Sequence, residues 1–332
     1  MTTTLRTSRW LVAVMAAALV LPAPALAQQK VTLKLNLGTP AGNPYNVGAD
    51  AFKKMVEADT NGAVTVQIFP MAQLGGETES AKNVQLGTLE ATIVSTSNLA
   101  TFNDKFAVFS VPYMFKSVSC SFPVVDGAVG QEMSDQLLKI ARMRVLGYPT
   151  FGARHLLNTK RKVIHPDDLK GLKIRAPDPL LEATWRALGA NPTPLPFPEV
   201  FNALQQGVID GDANPLTSMQ TFRWYESTKY VSFTNTAVGI GVFIINEPFF
   251  QKLSKPHQDV ILKAAAESIK ANRASEADLN KKAEAFLRTQ GVNFDTPNQD
   301  EFRAKLTPVF DEAKKRFGAD LLERIAAAQK GC

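Results

Sequence analysis

Hydrophobic and polar positions alternate with period two over Val31–Leu37 (VTLKLNL) and again over Ala63–Phe69 (AVTVQIF), the spacing of strands. Between them, within Tyr45–Thr60, Phe52, Met55 and Val56 fall on one helical face, and Asn61-Gly62 ends the pattern. Glu77–Leu86 reads as a second helix stopped by Gly87, and Leu89–Val94 as a third strand. Strand, helix, strand, helix, strand implies right-handed crossovers and a largely parallel sheet, so a first lobe of α/β class is expected.

A second round follows. Gln131–Ile140 reads as a helix, Arg144–Tyr148 and Leu172–Ala176 as strands, and Pro179–Leu188 as a helix capped by Asp178 and opened by Pro179. Pro192, Pro194, Pro196 and Pro198 form a stiff extended link into a helix over Glu199–Gln206. The run Val208–Pro215 (VIDGDANP) reads as strand and turn leading to another helix, and Val238–Ile245 as a buried strand. Pro256 then opens the longest helical pattern, which stops at Gly291. At 1.5 Å per residue it is about 50 Å long, more than one lobe needs, so it is expected to span both. Helices over Asp300–Phe317 and Asp320–Ala328 finish the chain. The late return of a strand and a bridging helix implies a chain that crosses between lobes more than once.

Composition adds bounds. A chain of 332 residues, 45% hydrophobic and 20% charged, exceeds the size of one core, and two lobes of roughly 100–150 residues are expected. Arg6 and Arg9 precede an apolar run, Leu11–Leu21, and an Ala-x-Ala site ending at Ala27. These are the parts of a secretory signal peptide over 1–27, with cleavage near Ala27 and export to the periplasm. The run is too short to span a bilayer. Removing Arg6 and Arg9 from the 37 basic residues leaves a net charge of +4 against 31 acidic ones, too dilute for a nucleic-acid partner. Export sets an oxidising compartment, in which Cys120 and Cys332 either pair or remain two free thiols.

Enzymatic constellations are thin. His155, His165 and His257 stand in no metal-ligand spacing, and no CxxC, phosphate loop or GxSxG elbow occurs, so neither metal nor cofactor is expected. Polar residues at predicted strand ends stand out instead, because ligands of open α/β sheets bind there. Arg175 ends Leu172–Arg175, Arg154 lies just beyond the strand near Tyr148, and Asn214 follows the strand around Ile209. Ser95 and Thr96 follow the third strand, and Glu77 opens a helix after Gly75-Gly76. Two arginines and an asparagine in one cleft suit a carboxylate, which a guanidinium matches bidentately. The competing readings are surface ion pairs for the arginines, a helix-dipole role for Glu77, and core packing for Phe197.

The motifs FPMAQLGGE (69–77), GTLE (87–90), VPYMF (111–115), LKGLKIRAP (169–177), GANP (189–192), GVIDGDANP (207–215) and YESTKY (225–230) together resemble a known family. It is that of the solute-binding proteins of tripartite ATP-independent periplasmic (TRAP) transporters, of C4-dicarboxylate-binding type. The resemblance covers nearly the whole mature chain. It implies a two-lobe clamshell with a long helix across both lobes: lobe I from 28–151 plus 240–281, lobe II from 152–239 plus 282–332. It implies that Arg175 pairs with the ligand carboxylate, that Arg154 and Asn214 belong to the same site, and that Glu77, Ser95 and Thr96 contact the rest of the ligand. Phe197 would pack on its apolar part, with Trp224 as a second candidate wall. Two departures are Ser117–Pro123 (SVSCSFP), where charged residues are common, and Asn235-Thr236, where a histidine is common. The implied function is capture of a small organic acid, best a sugar acid or uronate, and delivery by a monomer to a membrane permease. A dicarboxylate, keto acid or aromatic acid, a sensor role and a periplasmic enzyme are the alternatives.

Overall fold

The computed structural model describes residues 1–2 and 30–332. The expected signal peptide, apart from its first two positions, lies outside the described residues. Among the described residues no helix is long and apolar enough to cross a membrane.

Among the described residues ten strands carry the fold: β1 (Val31–Leu37), β2 (Val64–Phe69), β3 (Ala91–Ser95), β4 (Met143–Gly147), β5 (Thr150–Asn158), β6 (Lys173–Arg175), β7 (Asn191–Thr193), β8 (Gly211–Asn214), β9 (Tyr230–Asn246) and β10 (Asn293–Asp295). Their hydrogen-bonded order is β2-β1-β3-β9-β5-β8-β6-β7, with β4 and β10 also on β9. The expected parallel pairing holds for β1 with β2 and β3 and for β6 with β7 and β8. The centre differs, because β9 runs antiparallel to β3, β4 and β5. Its C-terminal end, Gly241–Ile245, pairs with β3, while Tyr230–Ser232 pairs with β10 and the far end of β5. One strand of 17 residues thus serves both halves of the sheet, where the sequence predicted only Val238–Ile245.

The long helix runs from Lys255 to Thr289, 35 residues, close to its expected span. Its first half packs along the helix Pro44–Asp59, where Gly48 leaves room for Ser268 and Asn272, and Lys263 pairs with Asp59 at 3.2 Å. Farther along, the Asn280 side chain accepts from the Thr217 amide, at the start of the helix Leu216–Thr221. Between these contacts Asn272 donates to the Thr150 carbonyl and accepts from the Thr150 amide, at 2.9 and 2.8 Å, fastening the start of β5. One end of the helix therefore belongs to the β1–β3 core, with Leu33, Phe52, Phe243 and Ile261, and the other to a core of Val200, Trp224 and Leu287.

One local expectation needs correction, and two segments take on structure that the sequence left unassigned. Ser117–Pro123, read only as a departure from a family pattern, starts a helix, Val118–Asp126, because the Ser117 hydroxyl caps the Cys120 amide. The single helix expected over Asp300–Phe317 is two, Gln299–Ala304 and Thr307–Phe317, since Pro308 cannot donate the amide that would continue it. The proline link starts inside β7, an edge strand, where Pro192 leaves no ladder bond missing on the outer side. The C-terminal helices Thr307–Phe317 and Ala319–Ala328 share one core with the helices Val118–Asp126, Ala128–Ala141 and Pro179–Ala187.

Candidate functional site

A cleft of about 620 Å³ opens where these strands end. Its lining comes from both halves of the molecule. Thr39, Asn43, Tyr45, Glu77, Ser95, Ser97 and Asn98 face Phe151, Arg154, Arg175, Asn214, Ser218 and the proline segment Pro194–Glu199.

Arg175 is the last residue of β6 and is 5% exposed. Its Nε donates to the Leu195 carbonyl at 2.9 Å, so the proline link serves as the clamp that aims it. Its Nη1 lies 3.7 Å from the Asp212 carboxylate. Arg154, 8% exposed, lies within β5 rather than beyond a strand. The segment TFGARHLLN lacks clean alternation, and β5 takes a bulge at Gly152, whose φ of +104° suits glycine. Nη1 of Arg154 donates to the Ala213 carbonyl at 3.0 Å and reaches Asn214 Oδ1 at 3.4 Å. Each guanidinium has five N–H donors, so both keep donors beyond these bonds. Aromatic faces support both cations: Phe151 lies 4.7 Å from Arg154, and Phe197 5.4 Å from Arg175.

Asn214 and Asp212 stand two apart on β8 and so share a face, with the Asn214 amide donating to the Asp212 carboxylate. Gly211 lets β8 approach β5, because a Cβ there would fall 2.4 Å from the Leu157 carbonyl oxygen. The pair sits between the arginines and fixes both. Across the cleft, Glu77 accepts from the Ser95 amide at 2.9 Å and from the Asn98 side chain. Burial pushes its carboxyl above the usual range, against the pull of the Ser95 amide, the two arginines and Asn98. Asp178, capping the next helix through Leu181, is likewise raised by burial, against the Leu181 amide and Arg154. Burial lowers Arg154 from its ordinary value, with Asp212 opposing. Across the cleft the two buried guanidiniums face Glu77, whose carboxyl burial pushes toward its neutral form, an arrangement that suits an added negative charge.

The structure brings Arg154, Arg175, Asn214, Glu77, Ser95 and Phe197 to this one cleft. Thr96 is not part of its lining. It is buried at the start of the 3₁₀ turn Thr96–Leu99, while its neighbours Ser95, the last residue of β3, and Ser97 line the cleft. Trp224 is also displaced from the expected wall: fully buried, it stacks on Phe222 and meets Phe197 edge-on at 5.6 Å, backing the residue that does line the cleft. His155 lies next to Arg154 on the opposite face of β5, with its pKa pushed down to about 4 by burial. Tyr45, Asn43, Asn98 and Asp212 were not foreseen. Tyr45 is buried, its ring meets Phe151 edge-on at 5.5 Å, and its hydroxyl has no hydrogen-bond partner among the described residues. Among the described residues no cluster of His, Cys, Asp and Glu has metal-site geometry.

Comparison with known proteins gives the chain a family and a fold. Residues 36–316 match the family described as bacterial extracellular solute-binding protein, family 7. A solute-binding protein of Verminephrobacter eiseniae is 35% identical over 307 residues, covering 92% of this chain and 91% of that one. Among solved structures, a TRAP periplasmic solute-binding protein from a Polaromonas species, bound to D-erythronate, matches with a TM-score of 0.86 at 31% identity, over 90% of this chain and 98% of the other. The sugar acid binding protein of Advenella mimigardefordensis, in complex with galactonate, matches with a TM-score of 0.88 at 28% identity, over 91% and 99%.

Proposed function

Since the chain belongs to family 7 of the bacterial extracellular solute-binding proteins, the binding components of TRAP transporters, we propose that it captures a sugar acid in the cleft between its lobes. Members of this family bind and deliver solutes outside the cytoplasmic membrane and are not enzymes. The observation that carries the reading is the convergence of Arg154 and Arg175 on one cleft, each held by a backbone carbonyl and each with donors to spare.

In this reading Arg175 takes the carboxylate of the guest and Arg154, steered by Asn214, takes either its other oxygen or the adjacent hydroxyl. Glu77, Ser95 and Asn98 then meet the hydroxylated chain from the opposite lobe, and Phe197 covers its carbon backbone. A polyhydroxylated acid suits this lining because carboxyl, hydroxyl and amide groups alternate along it. The solved relatives that hold erythronate and galactonate support the same class of guest.

The lobes of this reading are residues 28–151 with 240–281, and 152–239 with 282–332, joined where β5 and β9 cross under the long helix. A guest that touches both lobes interacts better with the closed form and shifts the population toward it. Closure presents the loaded protein, acting as a monomer after removal of the leader near Ala27, to its membrane permease.

Titration calorimetry against a panel of sugar acids, uronates and C4-dicarboxylates tests the proposal. A sugar acid is expected to bind tightest, and Arg175→Ala is expected to lose about 2–5 kcal/mol of affinity with the fold intact, since its truncation leaves a buried anion unpaired. Retained affinity in that variant, or tightest binding to a C4-dicarboxylate, refutes it.

A further inference from the structure

The C-terminal end of the chain is clamped onto a short segment far from it in sequence. The Gln329 side chain donates to the Met114 carbonyl at 3.0 Å and accepts from the Lys116 amide at 3.0 Å, and the Lys116 ammonium reaches the Gln329 carbonyl at 3.4 Å. The same carbonyl accepts from the Cys332 amide at 3.2 Å, folding the last residues back over the clamp. One residue beyond Lys116, the Ser117 hydroxyl caps the helix Val118–Asp126 and donates to Cys120 Sγ at 3.1 Å. Cys120 thus stands four residues after Lys116 and Cys332 three residues after the Gln329 that clasps Lys116, and the two thiols come within hydrogen-bonding reach of each other. Both are free thiols, Cys120 buried and Cys332 exposed, and neither lines the cleft.

We propose that Cys120 and Cys332 form an intramolecular disulfide that fastens the C-terminal helix Ala319–Ala328 to the helix Val118–Asp126. The chemistry of the pair suits closure. A hydrogen bond from Cys332, with a second from Ser117 and the charge of Lys116, holds the Cys120 thiol below its ordinary value, and the helix N-terminus favours the same thiolate. The Cys332 thiol is held above its ordinary value by the same contact. The exported compartment supplies the oxidant as a disulfide-bearing oxidoreductase. The exposed Cys332 sulfur attacks one sulfur of that disulfide, forming a mixed disulfide and releasing one thiolate of the oxidant. Cys120 thiolate then attacks Cys332 Sγ, forming the internal bond and releasing the second thiolate. Two electrons and two protons pass from the protein thiols to the oxidant, which leaves as a dithiol.

The bridge has a structural purpose. The C-terminal helix packs in the core shared by Val118–Asp126, Ala128–Ala141 and Pro179–Ala187, and the four residues after it are held to the rest of the protein by the hydrogen bonds of Gln329. A cross-link closing so long a loop removes much of the freedom of the unfolded chain, so its effect on stability is expected to be large for a single bond.

The test treats the purified full-length mature protein with oxidised glutathione, alkylates it with iodoacetamide and measures the intact mass. The expected product is a monomer lighter by about 2 Da than the reduced form, without alkylation, which on digestion gives one linked peptide pair containing both cysteines. Its melting temperature is expected to fall by several degrees on reduction, and Cys332→Ser is expected to melt where the reduced wild type does, whatever the oxidant. Two alkylated cysteines after oxidation, glutathione adducts on both, or a Cys332-linked dimer overturns the proposal. So does an internal bond whose reduction leaves the melting temperature unchanged.

Discussion

Arg175 illustrates how a charge is made useful without being made free. Its Nε is satisfied by the Leu195 carbonyl and its Nη1 is near Asp212, so the side chain is ordered before any guest arrives and little rotamer entropy is lost on binding. Glu77 is the counterpart across the cleft. Because burial raises its pKa, the folded protein holds the proton more tightly than the unfolded chain does. Its contribution to stability is therefore complete below the ordinary carboxylate value and declines as pH rises through the raised one. Thermal melts of the unliganded protein between about pH 4 and about pH 8 are expected to show this decline, and Glu77→Gln to make it shallower, the raised Asp178 carboxyl supplying part of what is left. An unchanged pH profile in that variant contradicts the assignment. The same proton governs an anionic guest: binding is expected to tighten as pH falls toward the Glu77 value, because the ionised carboxylate opposes the incoming charge. Arg175 and Asn214 were legible in the sequence because each ends a strand, β6 and β8, whereas Arg154 was singled out for a place beyond a strand and lies inside β5. Asp212 was equally legible in principle, since residues two apart on a strand share a face, but the run GDAN reads more readily as a turn. Tyr45 was masked because an aromatic in an amphipathic helix reads as core.

At the scale of elements, what the sequence conveyed was regular structure, and what it hid was irregular structure at the crossing of the lobes. The β1–β3 round and the long helix follow simple periodicities and stand close to where they were expected. β5 does not, for it carries two register shifts against β9 and relies on tertiary contacts for its course. Asn272 is the chief of these, satisfying both backbone groups of Thr150 from the long helix. Asn272→Ala leaves that amide and carbonyl buried without partners, at about 1–3 kcal/mol each. Urea unfolding is expected to show a loss of that order, with the slope of the transition unchanged. A loss below about 0.5 kcal/mol, the usual effect of a neutral surface change, shows that the bridge is dispensable.

At the scale of the molecule, the cleft and the crossing are two sides of one arrangement. β5 lines the site through Phe151 and Arg154 and pairs along its length with β9, so a guest that draws Glu77 and Arg175 toward each other acts on the β5–β9 ladder. Small-angle X-ray scattering is expected to show a smaller radius of gyration on addition of the tightest acid, and no change for Arg175→Ala at the same concentration. Contraction in that variant places the trigger elsewhere.

β9 also sets the order in which the chain is able to mature. Both halves of the sheet are seated on a strand that begins at Tyr230, and the helix that buttresses them follows it. A nascent chain emerging from the ribosome lacks this keystone until more than two-thirds of it has been synthesised, so its earlier strands have nothing to complete them. The late position of this one segment thereby postpones the joining of the two halves of the sheet until the last third of the chain has been made.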